Sequence, residues 1–185
     1  MTGPRSGPAG TSRPTGLVVR PAGPADFPAV ARLTVAAYEA DGQLKGENGY
    51  AVTLADVATR AAHGEVLVAV DADHGQVLGS VTFVLPGTRY AEMSGPGEAE
   101  FRMLAVDPAA QGRGVGAALV DACLARAAGL GCAAVVICVR DGFAVPARRL
   151  YERRGFVRVP AKDWSPLPGV DLLGLRLDLG AAGPA

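Results

Sequence analysis

Three alternate glycines, Gly112, Gly114 and Gly116, stand in the segment LAVDPAAQGRGVGAAL, Leu104 to Leu119. They constrain the fold of this chain more than any other feature. An apolar strand, EFRMLAV, ends at Val106, and DPAAQGRG turns the chain. Val115, Ala118, Leu119, Ala122 and Cys123 then recur at helical spacing. Glycine takes positive φ and lets another molecule approach the backbone closely. The exposed N–H groups and dipole at a helix start make an anion site. Arg113 adds a charge that no pH near neutrality removes. A pyrophosphate fits such a cradle, although a tight strand-to-helix turn without a ligand uses the same glycines.

The rest of the chain reads as one domain around this turn. A chain of 185 residues matches about one domain and buries a core without disulfides or a metal. Leu17 to Arg20 reads as a strand. Asp26 precedes a helix carrying Val30, Leu33, Thr34, Ala37 and Tyr38, and Leu54, Val57, Ala58 and Ala61 suggest a second helix. Glu65 to Val70 and Gln76 to Leu85 form a hairpin, and Glu100 to Val106 is the fourth strand. Ala133 to Val139 is a nearly continuous apolar strand, buried on both faces. A short helix starts at Pro146 and runs to about Arg154, followed by strands at Phe156 to Val159 and Leu172 to Leu179. Asp41 to Tyr50, Pro86 to Glu98 and Trp164 to Gly169 read as loops. The expected fold class is α/β, a mixed sheet of about six to seven strands flanked by about four helices.

Composition excludes several classes. Eighteen basic and 18 acidic residues cancel, which disfavours a general nucleic-acid binder. Cys123, Cys132 and Cys138 lack C-x-x-C spacing, so neither a zinc site nor a disulfide framework is expected. Cys132 and Cys138 read as small core residues. The longest apolar run, Gly129 to Val139, is too short to span a bilayer. Residues 1–15 have no apolar stretch of a signal peptide and are expected to be disordered, with the domain at 16–180 and a short tail at 181–185. A cytoplasmic protein without membrane contact is expected.

Two phosphate readings of the turn stay open on these residues. Gly112, Gly114 and Ala117 satisfy the G-x-G-x-x-A fingerprint of dinucleotide sites. That motif normally sits in an N-terminal unit with an acid about 20 residues on. Here it lies past mid-chain, and the next strand ends at Arg140-Asp141. Gln111, Gly114 and Gly116 instead spell Q-x-x-G-x-G, a coenzyme A cradle.

The sequence resembles the GNAT superfamily of N-acetyltransferases. Two separate blocks carry the likeness: L-A-V-D-P-x-x-Q-G-x-G-x-G, Leu104 to Gly116, and A-x-x-L-Y-x-x-x-G-F, through Ala147, Leu150, Tyr151, Gly155 and Phe156. The resemblance spans about Leu17 to Leu179. It implies a sheet splayed between its fourth and fifth strands, acetyl-CoA as acyl donor and no metal. It implies that the backbone of Leu104, Ala105 and Val106 pairs with the pantetheine arm. An N–H near Val106 is placed to bind the thioester oxygen as charge develops. Gln111, Gly112, Arg113, Gly114, Val115, Gly116 and Ala117 hold the pyrophosphate, with Arg148 drawing in the phosphates. Tyr151 is the general acid toward the departing thiolate, and Glu100, at the start of the fourth strand, is the general base. Strand parity puts Glu100 on one face with Arg102, Leu104 and Val106, and Glu98 is the fallback base.

The chain departs from the family pattern in two places. Ala144 stands where an Asn is frequent. Cys138, in Ile137-Cys138-Val139-Arg140, stands where ribosomal-protein N-terminal acetyltransferases carry a Glu. A thiol does not replace that carboxylate as a base at neutral pH, which disfavours a protein N-terminus as acceptor. The expected reaction is direct transfer to a small-molecule amine, in a monomer or a homodimer. A non-catalytic acyl-CoA-binding module and an NAD(P)-binding protein are the alternatives. Tyr90 and Trp164 are expected either to line an acceptor pocket or to anchor their loops, and His63 and His74 to be surface residues.

Overall fold

The computed structural model describes residues 16–45 and 49–180. The expectations for the tails, 1–15 and 181–185, lie outside the described residues. Strands β1 (Leu17–Pro21), β2 (Glu65–Asp71), β3 (Val77–Val84), β4 (Glu98–Val106), β5 (Ala134–Arg140), β6 (Val157–Arg158), β7 (Trp164–Leu167) and β8 (Val170–Asp178) form one sheet. The helices are α1 (Phe27–Ala40), α2 (Tyr50–Ala55), α3 (Val57–His63), α4 (Val115–Gly129) and α5 (Val145–Arg153). The sheet order is β1-β2-β3-β4-β5-β8-β6, with β7 paired to β8. Among the described residues no helix is long and apolar enough to cross a membrane.

Alternating side chains on the central strands bury the sheet on both faces. Val66, Val68 and Val70 of β2 meet Val30 and Leu33 of α1 and Val57 of α3. Leu67 and Ala69 point the other way, toward Leu119, Val120, Cys123 and Ala127 of α4. Gly79 of β3 makes that second contact close. A Cβ there would stand 2.7 Å from Val115 Cγ1 and 2.9 Å from the Ala105 carbonyl oxygen. Only glycine lets α4 start this near the sheet. Arg60, fully buried, ties α2 and α3 to β3 by donating to Leu54 O at 2.8 Å and to Thr82 Oγ1 at 2.9 and 3.1 Å.

The parallel pair β4–β5 departs from regular pairing. Glu98, Ala99 and Glu100 pair with Ala134, Val135 and Val136, and the ladder stops there. Phe101 to Val106 and Ile137 to Arg140 continue without each other, so the sheet splays open between the fourth and fifth strands as expected.

Four expectations need correction. Among the described residues the sheet has eight strands and the fold five helices, more than six to seven and about four. Trp164–Leu167 is a strand, not a loop. Its proline is tolerated because β7 pairs on one side only, and Pro168 with positive-φ Gly169 makes the turn into β8. Tyr50 begins α2 rather than ending a loop, and Asp56, accepting from the Thr59 N–H at 3.1 Å, divides the expected second helix into α2 and α3. Finally, β4 begins at Glu98 and its parity breaks midway. Ser80 pairs with Ala105 but Thr82 with Arg102, so Val81 opposes both Met103 and Leu104. Met103 takes φ 53° at this bulge. Glu100 and Arg102 therefore share a face with Ala105, while Leu104 and Val106 pack on the α4 side.

Candidate active site

A cavity of about 1080 Å³ opens where β4 and β5 part. Leu104, Ala105 and Val106 line it, as do Gln111, Gly112, Gly114, Val115, Gly116 and Ala117. The sequence thus folds both halves of its Gly-rich segment into one wall. Gly112 and Gly114 have φ 76° and 78°, a left-handed region that favours glycine, and Gly114 is the N-cap of α4. Beside them, a Cβ on Gly116 would already touch Leu150 and Val106 at 3.4 and 3.5 Å. The first N–H groups of α4 have no acceptor within the helix and carry its positive dipole end. Together these features have the geometry that an anion cradle requires.

Two of the expected phosphate-binding charges point elsewhere. Arg113 pairs with Asp71 at 3.2 Å, and Arg148 pairs with Glu152 one helical turn away at 3.0 Å. Neither lines the cavity, whereas Arg153, at the last residue of α5, does. In the same helix Ala144 caps the N-terminus at φ 53°. That conformation suits Asn better than Ala, which accounts for the Asn frequent there.

Tyr151 lies on α5 beside this wall, 5% exposed, with its ring against Phe101 and Phe156. Its hydroxyl makes no hydrogen bond to another described residue, and the side chain lines the cavity. Burial pushes the phenol well above its ordinary range, so it stays a proton donor. Cys138 of β5 also lines the cavity, which corrects its reading as plain core. Burial pushes its thiol up to about 12, so no thiolate is available there for nucleophilic attack.

The carboxylates are arranged differently from the sequence expectation. Glu100 is fully buried and is not a lining residue. Its Oε2 accepts three consecutive N–H groups, from Glu92, Met93 and Ser94, at 3.0, 3.0 and 3.1 Å. Glu98, the fallback, accepts from the Gly95 N–H at 2.9 Å and from Lys162 Nζ at 3.0 Å, and pairs with Arg176. Glu92, which sequence reading passed over, lines the cavity and pairs with Arg102 at 2.6 Å. Asp41, at the end of α1, is the other lining carboxylate. Tyr90 and Trp164 both line the cavity, joined by Tyr38 and Tyr50. Among the described residues no group of three or more His, Cys, Asp or Glu could hold a metal ion.

The acetyltransferase (GNAT) family model matches residues 30–156, most of the chain and both motif blocks. The chain belongs to the GNAT family of acetyltransferases. This decides between the two phosphate readings in favour of coenzyme A, since acetyl transfer from acetyl-CoA is the family's reaction. Among solved structures, a GCN5-related N-acetyltransferase from Kribbella flavida is 28% identical, with a TM-score of 0.66, covering 89% of this chain and 99% of that one. The yncA protein of Salmonella typhimurium, solved with acetyl-CoA, is 22% identical, TM-score 0.64, covering 92% and 99%. The ribosomal-protein-S18-alanine N-acetyltransferase of Escherichia coli is 19% identical, TM-score 0.65, covering 90% and 96%. At those two identities the likeness is one of GNAT fold. No curated protein matches the chain by sequence.

Proposed function

We propose that this GNAT protein transfers the acetyl group of acetyl-CoA to the amine of a small-molecule acceptor, by direct attack in a ternary complex. One observation carries the reading: the α4 cradle and the Tyr151 side chain open into the same cavity at the β4–β5 splay. When bound there, acetyl-CoA supplies an activated thioester. The N–H groups at the start of α4 hold the pyrophosphate, and Gly112 and Gly114 let it approach the backbone. Leu104, Ala105 and Val106 present β4 backbone, freed from β5, to the pantetheine arm. An N–H near Val106 polarises the carbonyl oxygen. Tyr151 holds the proton that the thiolate takes as it leaves.

The acceptor enters beside Tyr38, Tyr50, Tyr90 and Trp164. Cys138 in place of a carboxylate leaves a protein N-terminus the weaker candidate. A cavity whose one lining thiol is held protonated supports direct transfer over an acyl-enzyme. The reading keeps the expected cytoplasmic setting. The test is acetyl-CoA with a panel of primary amines (amino acids, polyamines, arylalkylamines and aminoglycosides), followed by thiol release. Amine-dependent release with matching acetylated product supports the reading. Tight acetyl-CoA binding without turnover on any amine makes the protein a binding module instead.

A further inference from the structure

The stretch from Tyr90 to Gly95 has no regular secondary structure, yet it is tied along its length. Glu100 Oε2 collects the N–H groups of Glu92, Met93 and Ser94, and Glu98 that of Gly95. Lys162 Nζ donates to Met93 O at 2.7 Å, and Arg102 donates to Tyr90 O at 2.9 Å. The buried Glu100, the partly exposed Glu98 and two cations therefore fix one short segment. The single carboxylate of that segment is Glu92, and it reaches the cavity together with Tyr90. It stands against Arg102 with 31% of its side chain exposed.

We propose that Glu92 takes the proton from the acceptor's ammonium, and that Glu100 is a positioning residue that holds the Glu92 backbone in place. This rests on the acetyl-transfer reading above. Glu100 is poorly suited to meet the amine itself, because it is fully buried and does not line the cavity, while its Oε2 is taken up in holding the segment. Of the two lining carboxylates, Asp41 accepts from Gln43 at 3.0 Å at the end of α1. Glu92 instead shares its surroundings with the acid. The Cys138 thiol lies within electrostatic reach of Glu92, Glu100 and Arg102, and Tyr151 within reach of Cys138. Glu92, Cys138 and Tyr151 all line the one cavity.

The groups facing Glu92 set its basicity. Burial raises its carboxyl above the ordinary range, Arg102 opposes this, and the Glu100 charge adds to it. A carboxylate tuned upward is a better base near neutral pH. The protons then balance. The ammonium gives one proton to the Glu92 carboxylate, and its lone pair forms the C–N bond as the C–S bond breaks. The leaving thiolate takes the Tyr151 proton. The second surplus proton on nitrogen returns through solvent to the Tyr151 phenolate, and Glu92 releases its own to solvent.

The test compares Glu92→Gln, Glu92→Asp, Glu100→Gln and the parent with saturating acetyl-CoA. Two acceptors are used: benzylamine, an ammonium at neutral pH, and aniline, which is already neutral. For benzylamine, Glu92→Gln should lower kcat/KM at least about tenfold near neutral pH and lose the acid limb of the pH–rate profile. Glu92→Asp should restore part of the rate. Glu100→Gln keeps a carbonyl acceptor for the three N–H groups, so it should lower the amplitude and keep the limb. Aniline turnover should respond little to Glu92→Gln. A Glu92→Gln profile that overlays the parent overturns the proposal, and loss of the limb in Glu100→Gln alone returns the base to Glu100. A parent silent on every amine of the wider panel counts against acetyl transfer rather than against Glu92. In that case carbon-13 NMR titration of glutamate-labelled protein with acetyl-CoA bound still decides. Glu92 should titrate above the exposed glutamates, and a midpoint at or below theirs overturns the assignment.

Discussion

The rings of Tyr151 and Phe101 lie 5.7 Å apart, centroid to centroid, and are tilted by 59°. Phe101 is the first β4 residue beyond the last pair with β5, so this contact stands at the fork of the splay. Packing fixes the Tyr151 ring while its hydroxyl has no hydrogen-bond partner among the described residues. Ring and hydroxyl therefore have separable duties.

Tyr151→Phe keeps the ring and loses the proton donor. We expect kcat to fall about 10- to 1,000-fold, with acetyl-CoA affinity and Tm nearly unchanged. The effect stays in the low part of the range for acid catalysis because a thiolate leaves tolerably even unprotonated. Steady-state kinetics at saturating acetyl-CoA give the answer. Full kcat in the variant would reduce Tyr151 to a packing residue.

Gly79→Ala tests the seating of α4 on the sheet. Its Cβ would press on Val115 Cγ1 and the Ala105 carbonyl, and backbone cannot yield as a flexible side chain can. A loss of about 1–3 kcal/mol in stability is expected, together with weaker acetyl-CoA binding, since Val115 is the first residue of the cradle helix. Leu119→Ala, farther along α4, should lose about 2–5 kcal/mol and keep its affinity. Equal affinity in both variants would separate the α4 start from the ligand.

Asp163 supplies the pH dependence. Its Oδ1 accepts from Arg158 at 2.6 Å and from the Gly174 N–H at 2.8 Å, and these bonds hold its carboxyl down to about 2. An unfolded Asp titrates near 3.9. The folded pKa is depressed, so the contribution is fully present above about pH 4 and is lost as pH falls through about 2. Urea unfolding across this window should show a shallower loss for Asp163→Asn than for the parent. Identical slopes would remove the pair from the acid response.

What the sequence disclosed was local. The α4 cradle was readable because Gly112 and Gly114 carry their positive φ within the turn itself. The Tyr151 block was readable through its likeness to the family pattern A-x-x-L-Y-x-x-x-G-F, since Leu-Tyr on a short amphipathic helix reads equally as core packing. What stayed hidden depends on distant partners. The bulge at Met103 reverses strand parity, and no period-two count anticipates it. The placement of Glu92 beside the cavity depends on three N–H bonds to Glu100 that exist only once the preceding loop folds over β4. Arg148 was the arginine expected at the phosphates, but it pairs with Glu152 and Arg153 lines the cavity instead. Pro166 in β7 and Pro168 just after it disguised an edge strand as a loop.

The central claim is that acetyl-CoA lies in the β4–β5 splay with its pyrophosphate on the start of α4. Gly114→Val tests it most directly, because Gly114 caps α4 at φ 78° on the cavity wall. A valine there both strains the turn and covers the N–H groups. Calorimetric titration of acetyl-CoA into the folded variant, with folding checked by circular dichroism, is the measurement. The account predicts at least about a tenfold loss of affinity relative to the parent. A folded Gly114→Val protein that binds acetyl-CoA as tightly as the parent would contradict it.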